Sequence, residues 1–236
     1  MTDATLAPVA YRDGSAAAAV RDWVVALPDW SLFEASDVPG PRPVAAKTLS
    51  QMAARDLRLE RVAQGIYIKV NNPWRKGILV YDRGRVAMAI AGPGSGYGGL
   101  TAVNKVGWNW QPTVRLRIAA VGRAPRANVR ACEFSSRANE ARRELTWAEV
   151  TVLEALRYST FAEWAWDECV AIIADGSAMR RLGPDAQVRR DALREVGERE
   201  PRATDRFRRR LRSLTDSMPA AVASGCQRKT HAHTRP

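Results

Sequence analysis

The order of apolar and polar positions near the amino terminus predicts a small helical core. Ser15 can cap a first helix and Pro28 ends it, because a serine oxygen accepts from free amide groups and proline cannot continue the helical hydrogen bonding. Between them, apolar side chains recur at helical spacing, at Val20, Trp23, Val24 and Leu27. A second short segment around Phe33 and Val38 is expected to complete a trihelical core.

The following stretch, from Pro43 to Val70, predicts a helix and then a hairpin. Pro43 suits a first helical turn, and one apolar helical face is formed by Val44, Leu49, Met52, Ala53 and Leu57. Two β segments, 59–62 and 66–70, flank a turn in which Gly65 can supply a positive φ. A helix followed by such a hairpin, or wing, is typical of the winged helix-turn-helix, a DNA-binding fold.

Polar and basic side chains of this stretch fall where a winged helix meets DNA. We expect Gln51 and Thr48 to read base edges. The helix and its flanks would hold phosphates through Arg42, Lys47, Arg55 and Arg58, and the wing would add Arg61, Gln64 and Lys69. The alternative is a small interaction module whose basic face is solvated.

The remaining chain predicts a mixed domain of helices and a small sheet. Helices are expected over 83–91 and 100–106, and strands over 112–121 and 128–134. Thr146 and Glu149 form a capping box at the start of a longer helix. The predicted fold class is therefore α+β: an N-terminal winged helix-turn-helix over 1–73, a mixed α/β C-terminal domain over 74–216 with Arg-rich terminal helices, and a disordered tail over 217–236.

The arginine-rich segment from Met179 to Leu214 keeps apolar residues at helical spacing, which predicts two amphipathic helices split at Pro201. Its arginines form either a solvated face, a second contact to phosphates, or a docking surface for an acidic partner. The sequence alone leaves these three interpretations open.

Composition narrows the class of protein. A chain of 236 residues with 46% apolar content is long enough for two domains, and a net charge of +12 favours a polyanionic partner. No apolar run approaches the length of a membrane span and no export signal is visible, so we expect a cytoplasmic protein without membrane contacts. Three widely spaced cysteines argue against disulfides, and His231 and His233 lie in the tail, so no metal site is expected.

The order of several segments resembles that of the AbiEi-type antitoxins of type IV toxin–antitoxin systems. These segments are Gln64-Gly65-Ile66-Tyr67, the stretch 100–108, Gln111-Pro112, the connector 137–143 and the stretch 145–150. The resemblance implies a winged helix that represses its own operon and a C-terminal domain that acts against a nucleotidyltransferase-like toxin. The implied partners are operator DNA of its own promoter and the cognate toxin. A stand-alone winged-helix transcription factor without a toxin is an alternative.

A glycine cluster precedes the helix predicted over 100–106, and it suggests an alternative, enzymatic interpretation. Gly94, Gly96 and Gly99 fit the pattern G-x-G-x-x-G, whose amide groups can cradle a phosphate, and Lys105 follows. The alternative is then an antitoxin that acts on its toxin as an atypical ATP-dependent protein kinase, with Asp167, Glu168 or Asp175 as magnesium ligands. The Gly-Lys-Ser/Thr ending and the kinase triplets His-Arg-Asp and Asp-Phe-Gly are absent. The leading expectation is a protein with no catalytic residues and no cofactor.

Overall fold

The structure, a computed structural model, describes residues 13–55, 59–70, 82–125, 129 and 131–223, and these form a mixed α+β fold. The helices are α1 (Asp13–Ala26), α2 (Arg42–Arg55), α3 (Arg83–Ala91), α4 (Gly99–Lys105), α5 (Trp147–Arg157), α6 (Trp166–Ala174), α7 (Ser177–Leu182), α8 (Arg190–Glu198) and α9 (Asp205–Ser217). The strands are β1 (Leu32–Glu34), β2 (Leu59–Ala63), β3 (Ile66–Lys69), β4 (Gly96–Tyr97), β5 (Leu116–Val121), β6 (Cys132–Arg137), β7 (Gln187–Arg189) and β8 (Ala221–Ala223). Short 3-10 turns cover Glu140–Glu144 and Ser159–Phe161.

The chain divides into two compact units. Of the described residues, the first unit contains those up to Val86 together with Val129, and the second contains 87–125 and those from Ala131 onward. The predicted boundary after residue 73 lies outside the described residues and stays a prediction. None of the helices in the described part of the chain is long and apolar enough to cross a membrane.

The first unit packs α1 and α2 against a three-stranded antiparallel sheet of order β1-β3-β2. Its core contains Val20, Val24, Phe33, Val38, Ala45, Leu49, Leu59 and Tyr67. Gly65 has φ +73 in the turn between β2 and β3, so the predicted hairpin is confirmed. The hairpin register has an irregularity between Arg61 and Ala63.

The segment around Phe33 is a strand, so the expected second helix of a trihelical core is wrong. Leu32 pairs with Ile68 and Phe33 with Tyr67. A helix in the short stretch between Pro28 and Pro41 would gain few hydrogen bonds against the free-energy cost of helix nucleation. The edge of β3 instead provides hydrogen-bond partners for the backbone of this stretch. Val38 is nevertheless buried in the core, as expected.

In the second unit, β5 lies between β4 and β6, antiparallel to the first and parallel to the second. The predicted helix over 83–91 is confirmed, and the two predicted strands exist but begin about four residues later than expected. The capping box of Thr146 and Glu149 is present at the start of α5. Large side chains buried in this unit include Trp108, Leu153, Leu156, Ile173, Met179, Leu193, Leu211 and Leu214.

The arginine-rich end contains the two predicted amphipathic helices, α8 and α9, on either side of Pro201. The expected disordered tail from Ser217 is wrong at Ala221–Ala223, which pairs with β7 and places Val222 in the core. A three-residue strand carries no periodicity by which the sequence could reveal it. The tail residues after Ala223 lie outside the described part of the chain.

Candidate nucleic-acid interface

The helix α2 has one buried and one exposed side. Ala45, Thr48 and Leu49 are buried, whereas Lys47, Gln51 and Arg55 are exposed. Residues four positions apart lie in one row along a helix, so these three side chains form a single exposed row. The helix contains no acidic residue that would oppose the charges of this row.

Small side chains lie beside this row. Ala46, Ser50 and Ala54 are exposed and are also spaced four residues apart, so they form a second row adjacent to the first. Small side chains allow a partner molecule to come close to the helix backbone. The longer side chains of the first row can then contact that partner. Arg42 is exposed at the start of the same helix.

The hairpin brings one more of the predicted residues, Gln64, close to the start of α2. Arg42 and Gln64 both line a surface depression, together with Ala46 and Glu34. Arg61 is exposed and donates from its Nε to the carbonyl oxygen of Ala63, at 3.3 Å. The structure therefore brings the start of α2 and the tip of the hairpin together around one depression.

The structure places two of the predicted DNA-contacting side chains away from the exposed row, and a third lies outside the described residues. Thr48 is only 5% exposed, because it shares the apolar side of α2 with Ala45 and Leu49. Lys69 donates from its Nζ to the carbonyl oxygens of Val25 and Leu27, at 2.6 and 2.5 Å, so it fixes the end of α1 instead of extending from the wing. Arg58 is not among the described residues.

The glycine cluster is packed against its own chain. An ideal Cβ on Gly94 would lie 2.7 Å from the carbonyl carbon of Arg142, and one on Gly96 would lie 2.6 Å from the carbonyl oxygen of Trp147. A phosphate cradle would need space for a phosphate close to the glycine backbone. Here that space is filled by the backbones of Arg142 and Trp147. The Nζ of Lys105 lies 5.0 Å from the centroid of the Tyr97 ring.

The other residues of the enzymatic interpretation do not converge. Gly99 has φ +58 and lies beside the Arg117 side chain. Glu168 accepts from the backbone N–H of Ala165, and Asp175 accepts from that of Ser177, so both carboxylates serve local turns. Within the described residues, no group of three histidine, cysteine or acidic side chains could hold a metal. Asp167 is exposed on α6.

A buried ionic network in the second unit is the feature that sequence reasoning missed. Arg142 is fully buried and donates to Glu154 at 2.8 Å and to Glu200 at 2.6 Å. Arg137 pairs with Glu154, and Arg157 with Glu200. Nothing in the sequence links Arg142 to Glu200, which follows 58 residues later.

The carboxylates of this network are held ionised. Burial opposes the charge of Glu154, but hydrogen bonds and charges from Arg137 and Arg142 outweigh it and lower its pKa. The pKa of Glu200 is lowered in the same way: burial opposes its charge, and Arg142 contributes the main opposing interactions. A carboxylate with a lowered pKa and saturated partners is unsuited to proton transfer, so this arrangement is structural.

Comparisons with known proteins give no family for the chain. No protein-family model matches it, and no curated protein matches it significantly. The crystal structure of the RV2827C protein from Mycobacterium tuberculosis is similar over 86% of this chain and 77% of that one, with 15% sequence identity and a TM-score of 0.43. Similarity at this level assigns no function.

Proposed function

We propose that the first unit is a winged helix that binds duplex DNA, with α2 as the recognition helix and the β2-β3 hairpin as the wing. The observation that carries this proposal is the exposed row of Lys47, Gln51 and Arg55 on a helix without acidic residues. The order helix, strand, helix, hairpin and the sheet order β1-β3-β2 support it.

The row has suitable dimensions for a DNA groove. Lys47 and Arg55 are eight residues apart, which corresponds to roughly 12 Å along a helix. A helix that lies in the major groove, which is about 12 Å wide, can present this row to the DNA, so that Gln51 at its centre faces base edges while Lys47 and Arg55 on either side reach phosphates. The small row of Ala46, Ser50 and Ala54 permits the close approach that this contact needs. Arg42, Arg61 and Gln64 would contact the backbone beside the groove.

We further propose that the protein is an antitoxin and transcriptional autorepressor of a type IV toxin–antitoxin operon. This part of the proposal rests on the resemblance of the ordered segments described above, and the nucleotidyltransferase-like toxin is its expected partner. The gene beside this one provides a direct test: we expect it to encode such a toxin, and co-expression of this protein to restore growth. A neighbouring gene of another kind would favour a stand-alone transcription factor.

The DNA-binding proposal is tested with duplex DNA from upstream of the gene. Replacing Lys47, Arg55 and Arg61 together by Ala should weaken binding to all sequences and lower the slope of log K against log salt by about 2.7, or roughly 0.9 for each lost phosphate contact. Fluorescence anisotropy at several salt concentrations measures both quantities.

A matched control removes the same number of charges elsewhere. Arg115, Arg199 and Arg212 are exposed arginines of the second unit, and their replacement by Ala should leave duplex binding nearly unchanged. Gln51→Ala should chiefly alter sequence preference, by about 1–3 kcal/mol at one base pair. Equal losses in the two triple variants would mean that only overall charge matters and that α2 is not the recognition helix.

A further inference from the structure

The second unit carries an exposed group of aromatic rings that the proposed function does not use. We call the side chains of Trp110, Phe161, Trp164 and Trp166 the aromatic face. Trp110 is 60% exposed, Phe161 54% and Trp164 39%, whereas Trp166 is half-buried. A large ring left in water forgoes the favourable free energy of burying its apolar surface.

The aromatic face is held in place by hydrogen bonds between two segments, 107–110 and 161–166. The side-chain amide of Asn109 donates to the carbonyl oxygen of Phe161 at 2.8 Å, and the indole N–H of Trp164 donates to that of Gly107 at 3.1 Å. The rings of Trp110 and Trp164 meet edge to face with centroids 6.1 Å apart. These hydrogen bonds between the two segments therefore hold the exposed rings in defined positions.

Two arginines contact the aromatic face, and two more are exposed on the same helix as one of them. The guanidinium of Arg181 lies 5.1 Å from the centroid of the Trp110 ring, and that of Arg210 lies 4.7 Å from that of Trp166. Arg206 and Arg209 are exposed on α9, four residues and one residue before Arg210. Burial and the nearby charge of Arg206 both lower the pKa of Arg210, which places these cations close together.

Most other arginines of the arginine-rich end pair with carboxylates. None of the four has a carboxylate within ion-pair distance among the described residues, whereas carboxylates pair with Arg190, Arg194, Arg199, Arg208 and Arg212. Arg180 and Arg202 share this lack of a carboxylate partner within the described part of the chain. The acids nearest to the rings in sequence are Glu163, whose carboxylate accepts from the backbone N–H of Trp110, and Asp167 and Glu168 in the first turn of α6.

We propose that the aromatic face and its four arginines bind single-stranded nucleic acid. Unpaired bases stack on exposed rings, and guanidinium groups hold the phosphates between them. The bases of a duplex are already stacked on each other, so they are not free to stack on the exposed rings. The large exposed apolar residues of the described second unit are Trp110, Phe161, Trp164 and one valine, Val114. Exposed aromatic and arginine side chains are also enriched at protein–protein interfaces, so an acidic protein is the competing occupant, and competition by polyglutamate in the test below distinguishes it.

The test uses the full chain and single-stranded oligothymidylate of about twelve nucleotides, a length within the range that such sites cover. We expect binding to quench tryptophan fluorescence and to weaken as salt rises. Trp110→Ala and the double variant Arg206→Ser/Arg209→Ser should each weaken binding about tenfold. These side chains are exposed, so circular dichroism should show that both variants fold.

Two controls separate this site from the proposed duplex site. Arg199→Ser/Arg212→Ser removes the same charge, from the end of α8 and from α9, and should bind oligothymidylate like the parent. The Lys47/Arg55/Arg61 triple alanine variant should lose duplex binding and keep oligothymidylate binding, so the two proposals can fail independently.

Three outcomes would overturn the inference: no binding of oligothymidylate, binding that survives both changes in the aromatic face, or equal competition by polyglutamate of matched charge. The last outcome would show attraction of charge without stacking, as expected for docking of an acidic protein.

Discussion

Arg142 shows how a single residue can determine the stability of a whole unit. Its guanidinium is removed from water, which costs several kcal/mol, and it is compensated only because Glu154 and Glu200 accept its hydrogen bonds. Asn139 also takes part and donates to Glu200 at 2.8 Å. Removing Arg142 takes one of two arginine partners from each buried carboxylate, because Arg137 and Arg157 remain.

We predict that Arg142→Met lowers the free energy of unfolding of the second unit by about 3–5 kcal/mol, because the buried carboxylates of Glu154 and Glu200 then lose the hydrogen bonds from Arg142 and each keeps a single arginine partner. Urea denaturation followed by circular dichroism measures the change. Arg143→Met is the control, since Arg143 forms an exposed pair with Glu140 and its loss should cost less than about 1 kcal/mol. Similar costs for the two variants would show that the network contributes little.

The same network predicts how stability depends on pH. Glu154 and Glu200 have a lower pKa in the folded protein than the ordinary value of 4.5, so near that pH the unfolded chain binds more protons. Their contribution to stability is therefore complete above the unfolded pKa and is lost as pH falls through the folded pKa. Denaturation midpoints at a series of pH values should fall steeply below about pH 4.5. Glu154→Gln should flatten this dependence, whereas Glu140→Gln should not.

At the scale of residues, the sequence allowed some contacts of α2 to be predicted better than others. The apolar spacing of α2 leaves Lys47, Gln51 and Arg55 outside the apolar face, and all three are exposed, because helix geometry is local. Thr48 also carried a local signal that the prediction overlooked, since it lies four residues from both Val44 and Met52 on the apolar side. Lys69 gave no such signal, because its partners in α1 are more than forty residues away.

At the scale of elements, the glycine cluster shows why glycine patterns are ambiguous. A pattern of glycines indicates that another group lies close to the backbone. It does not indicate whether that group is a ligand or another part of the chain. Here the neighbours are the backbones of Arg142 and Trp147, far along the chain. A tight strand such as β4 needs the same small residues as a phosphate loop.

We predict that Gly96→Ala destabilises the second unit more than Gly92→Ala does. The new Cβ at Gly96 would lie 2.6 Å from the carbonyl oxygen of Trp147, whereas the one at Gly92 would meet nothing within 4 Å and would suffer only from a φ of +81. Gly92→Ala should therefore lower the free energy of unfolding by about 1 kcal/mol. Thermal unfolding of the two variants compares their stabilities. If Gly96→Ala is tolerated, the packing around β4 is looser than described.

The enzymatic alternative makes a separate prediction at the same element. If the cluster only packs, titration of the parent with ATP and Mg²⁺ gives no binding heat in a calorimeter, and Lys105→Ala still protects cells from the toxin. Loss of the contact between Lys105 and the Tyr97 ring should cost at most about 1 kcal/mol. Magnesium-dependent ATP binding that vanishes in Lys105→Ala would instead support a phosphotransferase.

Long periodic elements were predictable and short ones were not. The helices α3, α5, α8 and α9 follow from apolar spacing and caps within each segment. The strands β1, β4, β7 and β8 contain only two or three residues, so their existence depends on a partner strand elsewhere. For the same reason the parallel pairing of β5 with β6 could not be derived from either strand alone.

At the scale of the whole molecule, each unit has its own core, which predicts separable activities. A fragment beginning at Asp82 should unfold cooperatively, lose duplex binding, and keep oligothymidylate binding. In cells it should still neutralise the toxin. Denaturation, anisotropy and a growth assay test these three outcomes. A folded fragment that fails to neutralise the proposed toxin would assign that role to the first unit as well.

The burial of the Arg142 network has a practical consequence for handling the protein. Salt screens charges that face water, and its screening length is only about 3 Å at 1 M. Dissolved ions do not enter a site where Arg142 and Glu154 have no exposed surface. A concentrated salt wash should therefore strip nucleic acid from both proposed surfaces while the second unit remains folded, so the protein can be purified free of cellular nucleic acid in its native state.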